Sequence, residues 1–117
     1  MLPDGYDLSG RVAIVTGGGT GIGAATALLL ARHGADVVIA SRSAEELERR
    51  AADIRDQTGR RCIAVPTDVR AEEQVVALVE RTIADFGRID ILINNAGGTR
   101  MGPLTGITTK AWDASFD

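Results

Sequence analysis

The sequence predicts an α/β fold: a doubly wound parallel sheet that stops after about four strands. Three observations predict it. Short β-branched apolar runs alternate with helical stretches of roughly 15 residues, the rhythm of βαβ units. The runs VAIV, VVIA and ILI are continuously apolar, as befits strands covered on both faces. The first run ends in a glycine cluster that leads straight into a helix.

The elements follow in order. Residues 11–16 form the first strand, and residues 21–33 a helix that Gly34 stops. Residues 36–40 are the second strand. Residues 43–58 are the second helix, where Ser43 and Glu46 have capping-box spacing and Gly59 closes the end. Residues 61–65 are the third strand, followed by Pro66. Residues 70–86 are the third helix, with Val75, Val76, Val79, Ile83 and Phe86 as one apolar stripe and Gly87 as its stop. Residues 89–94 are the fourth strand. Residues 97–107 read as a Gly-rich loop with Pro103, and a last helix starts near Thr108. Right-handed crossovers and a doubly wound order predict the strand order 3-2-1-4, with strand 4 at an uncovered apolar edge.

Composition narrows the function. The 117 residues carry 13 basic and 16 acidic side chains, a net charge of −3. A weakly acidic chain is a poor partner for nucleic acid phosphates. No apolar run suits a membrane span, and no signal peptide is evident. Cys62 has no cysteine partner, consistent with a reducing, cytoplasmic setting and with inert packing in a strand. His33 lies in the last helical turn without neighbours at ligand spacing, so no metal site is expected. Trp112 and Phe116, four residues apart, read as core or partner-facing.

The run Thr16-Gly17-Gly18-Gly19-Thr20-Gly21-Ile22-Gly23 lies between a strand and a helix. Glycine there permits positive φ and lets a pyrophosphate approach the backbone, while the helix start offers N–H groups and a positive dipole end. A P-loop is excluded, because no Gly-Lys-Ser/Thr follows.

These residues resemble the cofactor motif of the short-chain dehydrogenase/reductase family, and the sheet is accordingly Rossmann-like. Asn94-Asn95-Ala96-Gly97 is similar to that family's second signature, and Asp68-Val69 to its adenine-contacting pair. The resemblance runs from Ser9 to Asp117. It implies that Gly17, Gly18, Gly19, Thr20, Gly21 and Ile22 line the pyrophosphate and ribose. It also implies that Asp68 accepts from the adenine amino group with the Val69 backbone beside it. Asn95, Ala96 and Gly97 would lie along the adenosine ribose. The competing structural roles are an N-cap for Asp68 and turn bonding for Asn94 and Asn95.

Cofactor choice is argued from the end of the second strand. An acid there would bond the ribose hydroxyls of NAD; this chain has Ser41 and Arg42, which suit a 2′-phosphate. The expectation is NADP(H), with NAD(H) as the alternative.

The family's catalytic serine and Tyr-x-x-x-Lys are not in this chain. Its one tyrosine is Tyr6 and its one lysine is Lys110, and neither sits in that spacing. No catalytic residue is therefore assigned. Residues 1–117 read as the N-terminal cofactor-binding half of one domain, inactive alone. The parent would be an NADP(H)-dependent oxidoreductase moving hydride to or from a carbonyl, alcohol or enoyl substrate. Its expected partners are a small-molecule substrate, the missing C-terminal half or another subunit, and further copies in a homo-oligomer. The alternative is a non-catalytic nucleotide-binding or interaction module whose strand 4 edge needs a partner. A methyltransferase is disfavoured by Ser41-Arg42 and Asn94–Gly97.

Overall fold

The computed structural model describes residues 7–19 and 21–95. Within them β1 (Val12–Thr16), α1 (Gly21–Arg32), β2 (Asp36–Ser41), α2 (Ala44–Thr58), β3 (Cys62–Pro66), α3 (Glu72–Phe86) and β4 (Ile91–Asn94) follow one another. The four strands form one parallel sheet in the order β3-β2-β1-β4, as predicted. Val12 to Thr16 align with Asp36 to Ala40 on one side, and Ala13 to Thr16 with Ile91 to Asn94 on the other. The expected loop at 97–107, the helix near Thr108 and the Trp112/Phe116 pair lie outside the described residues.

Burial follows the topology. β1, between two neighbours and two helical layers, is buried at every position. β3 and β4, at the edges of the described sheet, are mostly half-buried. Alternation along each strand splits the core in two. Val15, Val37 and Ile39 face α1 and α2, where they meet Ala27, Ala31, Leu47, Ala51 and Ile54. Ile14, Val38 and Ala40 face the other way, toward Leu78 of α3.

The helix ends show where local signals acted. Gly59 and Gly87 both take the left-handed conformation, and their N–H groups donate to Arg55 O and Ile83 O. Ser43 stands at the N-cap of α2, but its side chain makes no capping bond. The predicted capping box is thus replaced by the backbone alone, with Leu47 N donating to Ser43 O at 2.9 Å. Glu45 and Glu46 still place negative charge in the first turn, where the dipole favours it.

The third helix corrects the sequence reading twice. It starts at Glu72 rather than Arg70, because Asp68 turns the chain: its Oδ1 accepts the Arg70 N–H at 3.0 Å. Its predicted single stripe also divides. Leu78 and Thr82 are the buried positions, with Val75 and Phe86 half-buried beside them. Val76, Val79 and Ile83 are 48%, 40% and 46% exposed among the described residues. The apolar residues span two faces, and the described sheet covers one. The buried Thr82 hydroxyl is satisfied within its own helix, donating to Leu78 O at 2.8 Å. The C-terminal end of α3 has no basic residue of its own. Arg61 supplies the charge from beside β3, donating to Asp85 O at 3.3 Å and lying 4.2 Å from the Phe86 ring centroid.

At the N-terminal edge of the sheet, Asp90 ties β1 to β4. Its carboxylate accepts the Val12 N–H at 2.9 Å and is gripped by Arg88 at 2.7 and 2.8 Å, with Arg11 at 3.5 Å. The Arg88 bonds, then the Val12 N–H, hold its pKa below the ordinary carboxylate value. A depressed pKa contributes stability that is present above the unfolded value of about 4 and is lost as pH falls through the lower folded value. Asp90→Asn is therefore expected to lower Tm at pH 7 and to flatten its acid dependence below pH about 4. Thermal unfolding of parent and variant between pH 7 and pH 2.5 checks this; parallel curves would overturn the role.

Candidate cofactor site

In a parallel sheet all strands end on the same side, so the loops after β1, β2, β3 and β4 gather along one rim. β1 neighbours β2 and β4 there, at the point where the chain reverses its direction across the sheet. Every described residue predicted to bind a cofactor lies on this rim or on the first turn of α1: Gly17, Gly18, Gly19, Gly21, Ile22, Ser41, Arg42, Asp68, Val69 and Asn95. Thr20, Ala96 and Gly97 lie outside the described residues.

The turn after β1 folds over the end of β2. Gly17 N and Gly18 N both reach Ala40 O, at 2.7 and 3.3 Å. Gly17 has φ +70°, which glycine adopts without strain. Gly18 is glycine for a different reason: a Cβ there would lie 2.6 Å from Ile39 Cβ. Gly23, in the first turn of α1, faces the Gly17 carbonyl so closely that no Cβ fits between them. Gly23, Ala27 and Ala31 are the buried residues of α1, and this stripe of small residues lets the helix rest directly on the sheet.

Gly21 behaves differently. Among the described residues nothing lies within 4 Å of its ideal Cβ, and its φ is not positive. Packing does not call for glycine at that position. Beside it Ile22 is 75% exposed, the most exposed large apolar side chain described. The first turn of α1 contains no acidic residue, so nothing there offsets the positive end of its dipole.

The other strand ends crowd the turn. Ser41 Oγ would lie 3.1 Å from a Cβ on Gly19, and Arg42 beside it is exposed. Thr67 N donates to Ser41 O at 2.7 Å, bringing the start of the β3–α3 loop against the end of β2. Asp68 follows, its carboxylate held by Arg70 and, more weakly, by the charge of Arg42. Together these keep its pKa below the ordinary value, with the Arg70 side-chain bonds the largest cause. Asp68 is not the N-cap of α3, a position that Ala71 occupies.

Thr16 is a residue whose role the sequence did not signal. It is buried at 1% exposure at the end of β1. Its Oγ1 lies 3.1 Å from Asn94 Oδ1 and 3.3 Å from Ile93 O, and it accepts the Asn95 N–H at 3.0 Å. The Asn94 side chain thus accepts a bond from across the sheet, from β1. Asn95 Nδ2 sits 3.0 Å from the ideal Cβ position of Gly23, over the start of α1. A cleft of about 250 Å³ between α1 and α2 shares only Gly21 with the predicted set; Leu28, Ile54 and Arg50 are among its walls. Cys62 is buried, and desolvation pushes its thiol up to about 12, in keeping with inert packing.

The sequence model of the family described as short chain dehydrogenase matches residues 11–117. The chain belongs to the short-chain dehydrogenase family. It is 48% identical over 105 residues to a peroxisomal 2,4-dienoyl-CoA reductase of Danio rerio, covering 90% of this chain and 35% of that protein. It is 44% identical over 110 residues to an uncharacterized oxidoreductase of Mycobacterium tuberculosis, covering 94% and 41%. Among solved structures, L-sorbose reductase from Gluconobacter frateurii, complexed with NADPH and L-sorbose, superposes with a TM-score of 0.77 at 35% identity. That match covers 93% of this chain and 41% of the reductase. An NAD⁺-bound xylitol dehydrogenase matches with a TM-score of 0.74 at 41% identity, over 78% and 35%. The chain thus spans well under half of each of these short-chain dehydrogenase relatives. No described helix is long and apolar enough to cross a membrane.

The two kinds of glycine in the turn separate packing from ligand. Gly18→Ala is expected to destabilise the chain by about 1 to 3 kcal/mol through overpacking against Ile39. Gly21→Ala is expected to leave stability unchanged or to raise it by up to about 1 kcal/mol. Urea unfolding of both variants checks the contrast, and equal losses would refute it.

Proposed function

We propose that this chain binds the adenosine half of NADP(H) in a short-chain oxidoreductase that moves hydride to or from a carbonyl, alcohol or enoyl carbon. The carrying observation is Gly21, a glycine that the described packing does not need, at a helix start with no acid in its first turn. A pyrophosphate crossing that turn accounts for it: the N–H groups and dipole attract the anion, and a Cβ would stand in its path. The exposed Ile22 is accounted for in the same way, as an apolar wall for the bound molecule.

The residues along the rim fit the rest of such a ligand. Arg42, at the end of β2, can grip a 2′-phosphate through its planar fork, and Ser41 can donate its hydroxyl beside it. Asp68 offers an ionised acceptor to a base amino group at the end of β3, with Val69 alongside. Asn95, with Ala96 and Gly97 after it, would border the adenosine ribose. When bound, the nicotinamide cofactor supplies or takes the hydride. The chain's own residues hold and orient it, and the acid–base step falls to residues outside these 117. In this reading the remaining chain or another subunit adds at the β4 edge. The whole enzyme is then a cytoplasmic homo-oligomer acting on a small molecule. The relatives named above support the reaction class, since both reductases and dehydrogenases stand among them.

Arg42→Ala tests the cofactor choice. It is expected to weaken NADPH binding roughly tenfold or more while changing NADH binding less than about threefold, since one charge-assisted contact is lost. Titration of both reduced nucleotides by fluorescence or calorimetry reads the difference. Equal effects on the two would remove Arg42 from the phosphate site.

A further inference from the structure

Asp68 is held more tightly than a half-buried turn residue requires. Its Oδ1 accepts two hydrogen bonds from Arg70, from the backbone N–H at 3.0 Å and from Nε at 3.1 Å. Its Oδ2 accepts a third, from Arg70 Nη2 at 3.2 Å. The backbone is pinned as well: Asp68 N donates to Gln74 Oε1 at 2.8 Å, and Asp68 O accepts from Ala71 N at 3.0 Å. The loop is fastened to β2 through Thr67 N and Ser41 O.

A carboxylate has about four acceptor positions, two on each oxygen. Arg70 fills both on Oδ1 and one on Oδ2. Among the described residues one position on Oδ2 is left, and the planar fork fixes its direction, because Nε and Nη2 grip the two oxygens together. A single aimed acceptor accommodates a donor and rejects another acceptor, which would be left unpaired against a fixed negative charge.

We propose that Arg70 is a positioning residue that makes Asp68 a reader of the cofactor's purine, selecting a 6-amino over a 6-oxo base. This rests on the reading that Asp68 faces the adenine. Arg70 touches neither base nor phosphate in this scheme; it acts through the Asp68 carboxylate. Without the guanidinium the carboxylate can rotate and meet the base with either oxygen or turn to water, and the choice between bases is lost. A lysine would keep the positive charge without the fork.

The test compares NADPH with reduced nicotinamide hypoxanthine dinucleotide phosphate, which differs at the purine 6-position. Dissociation constants are measured on the full chain for the parent, Arg70→Ala, Arg70→Lys and Arg42→Ala, with circular dichroism confirming the fold of each. The parent is expected to prefer NADPH roughly tenfold, the scale of one hydrogen bond to a charged group. Arg70→Ala and Arg70→Lys are expected to bring the ratio within about twofold to threefold. Arg42→Ala is expected to weaken both nucleotides and keep the ratio, the pattern of a phosphate contact. A merely structural role for Arg70 would lower both affinities together and leave the ratio intact, which overturns the proposal while sparing the Asp68 reading. A full ratio in Arg70→Lys would likewise overturn it. A parent with no preference would overturn the placement of adenine at Asp68 and the proposal with it.

Discussion

Everything on the rim depends on how closely α1 lies to β1. The backbone of Gly23 faces the carbonyl of Gly17 with no room for a side-chain carbon, and Ala27 and Ala31 continue that contact along the helix. Larger residues would lift the helix from the sheet and move its N-terminus away from the ends of β2 and β4. The hydrophobic gain from such small side chains is modest, yet they set a distance. The large aliphatic residues, Ile14, Ile39, Leu47 and the valines of β1 and β2, supply the burial around that fixed contact.

Much of this was legible in the sequence because its signals are local. VAIV and VVIA are apolar without alternation, and both proved to be central strands buried on both faces. The order 3-2-1-4 followed from right-handed crossovers combined with doubly wound connectivity. Gly59 and Gly87 closed their helices as their positions suggested. What escaped the reading depended on partners distant in the chain. Thr16 looked like the end of a strand, and its bonds to Asn94 and Asn95 exist only because β4 returns beside β1. Ser43 had the right spacing for a capping box, but spacing does not oblige a side chain to turn inward. In α3, periodicity located the helix without deciding which apolar residues would meet the sheet.

The candidate site divides along the same line. The glycine turn could be read as a ligand turn from composition, yet composition could not say which glycines serve packing. Gly18 and Gly23 are enclosed by protein atoms, whereas Gly21 looks onto open space among the described residues. Asp68 could be placed at the end of a strand, but its engagement by Arg70 is a matter of side-chain geometry. Ser41 and Thr67 show how parallel pairing carries such residues into one neighbourhood: a single backbone bond joins loops 26 positions apart, as the numbering of its two partners shows.

The crowding at Gly18 and Gly23 also bears on how such a site can change over generations. Those two positions have no spare volume and resist mutation, since a side chain there disturbs the packing of the turn on the sheet. Variation is left to the tip of β2, where Arg42 stands exposed. On the proposed cofactor reading, the nucleotide favoured can change there while the frame itself stays constant. On the proposed reading a protein engineer would find the same asymmetry: Ser41 and Arg42 are where preference can be rewritten, and Gly18 and Gly23 are where a change would disturb the frame.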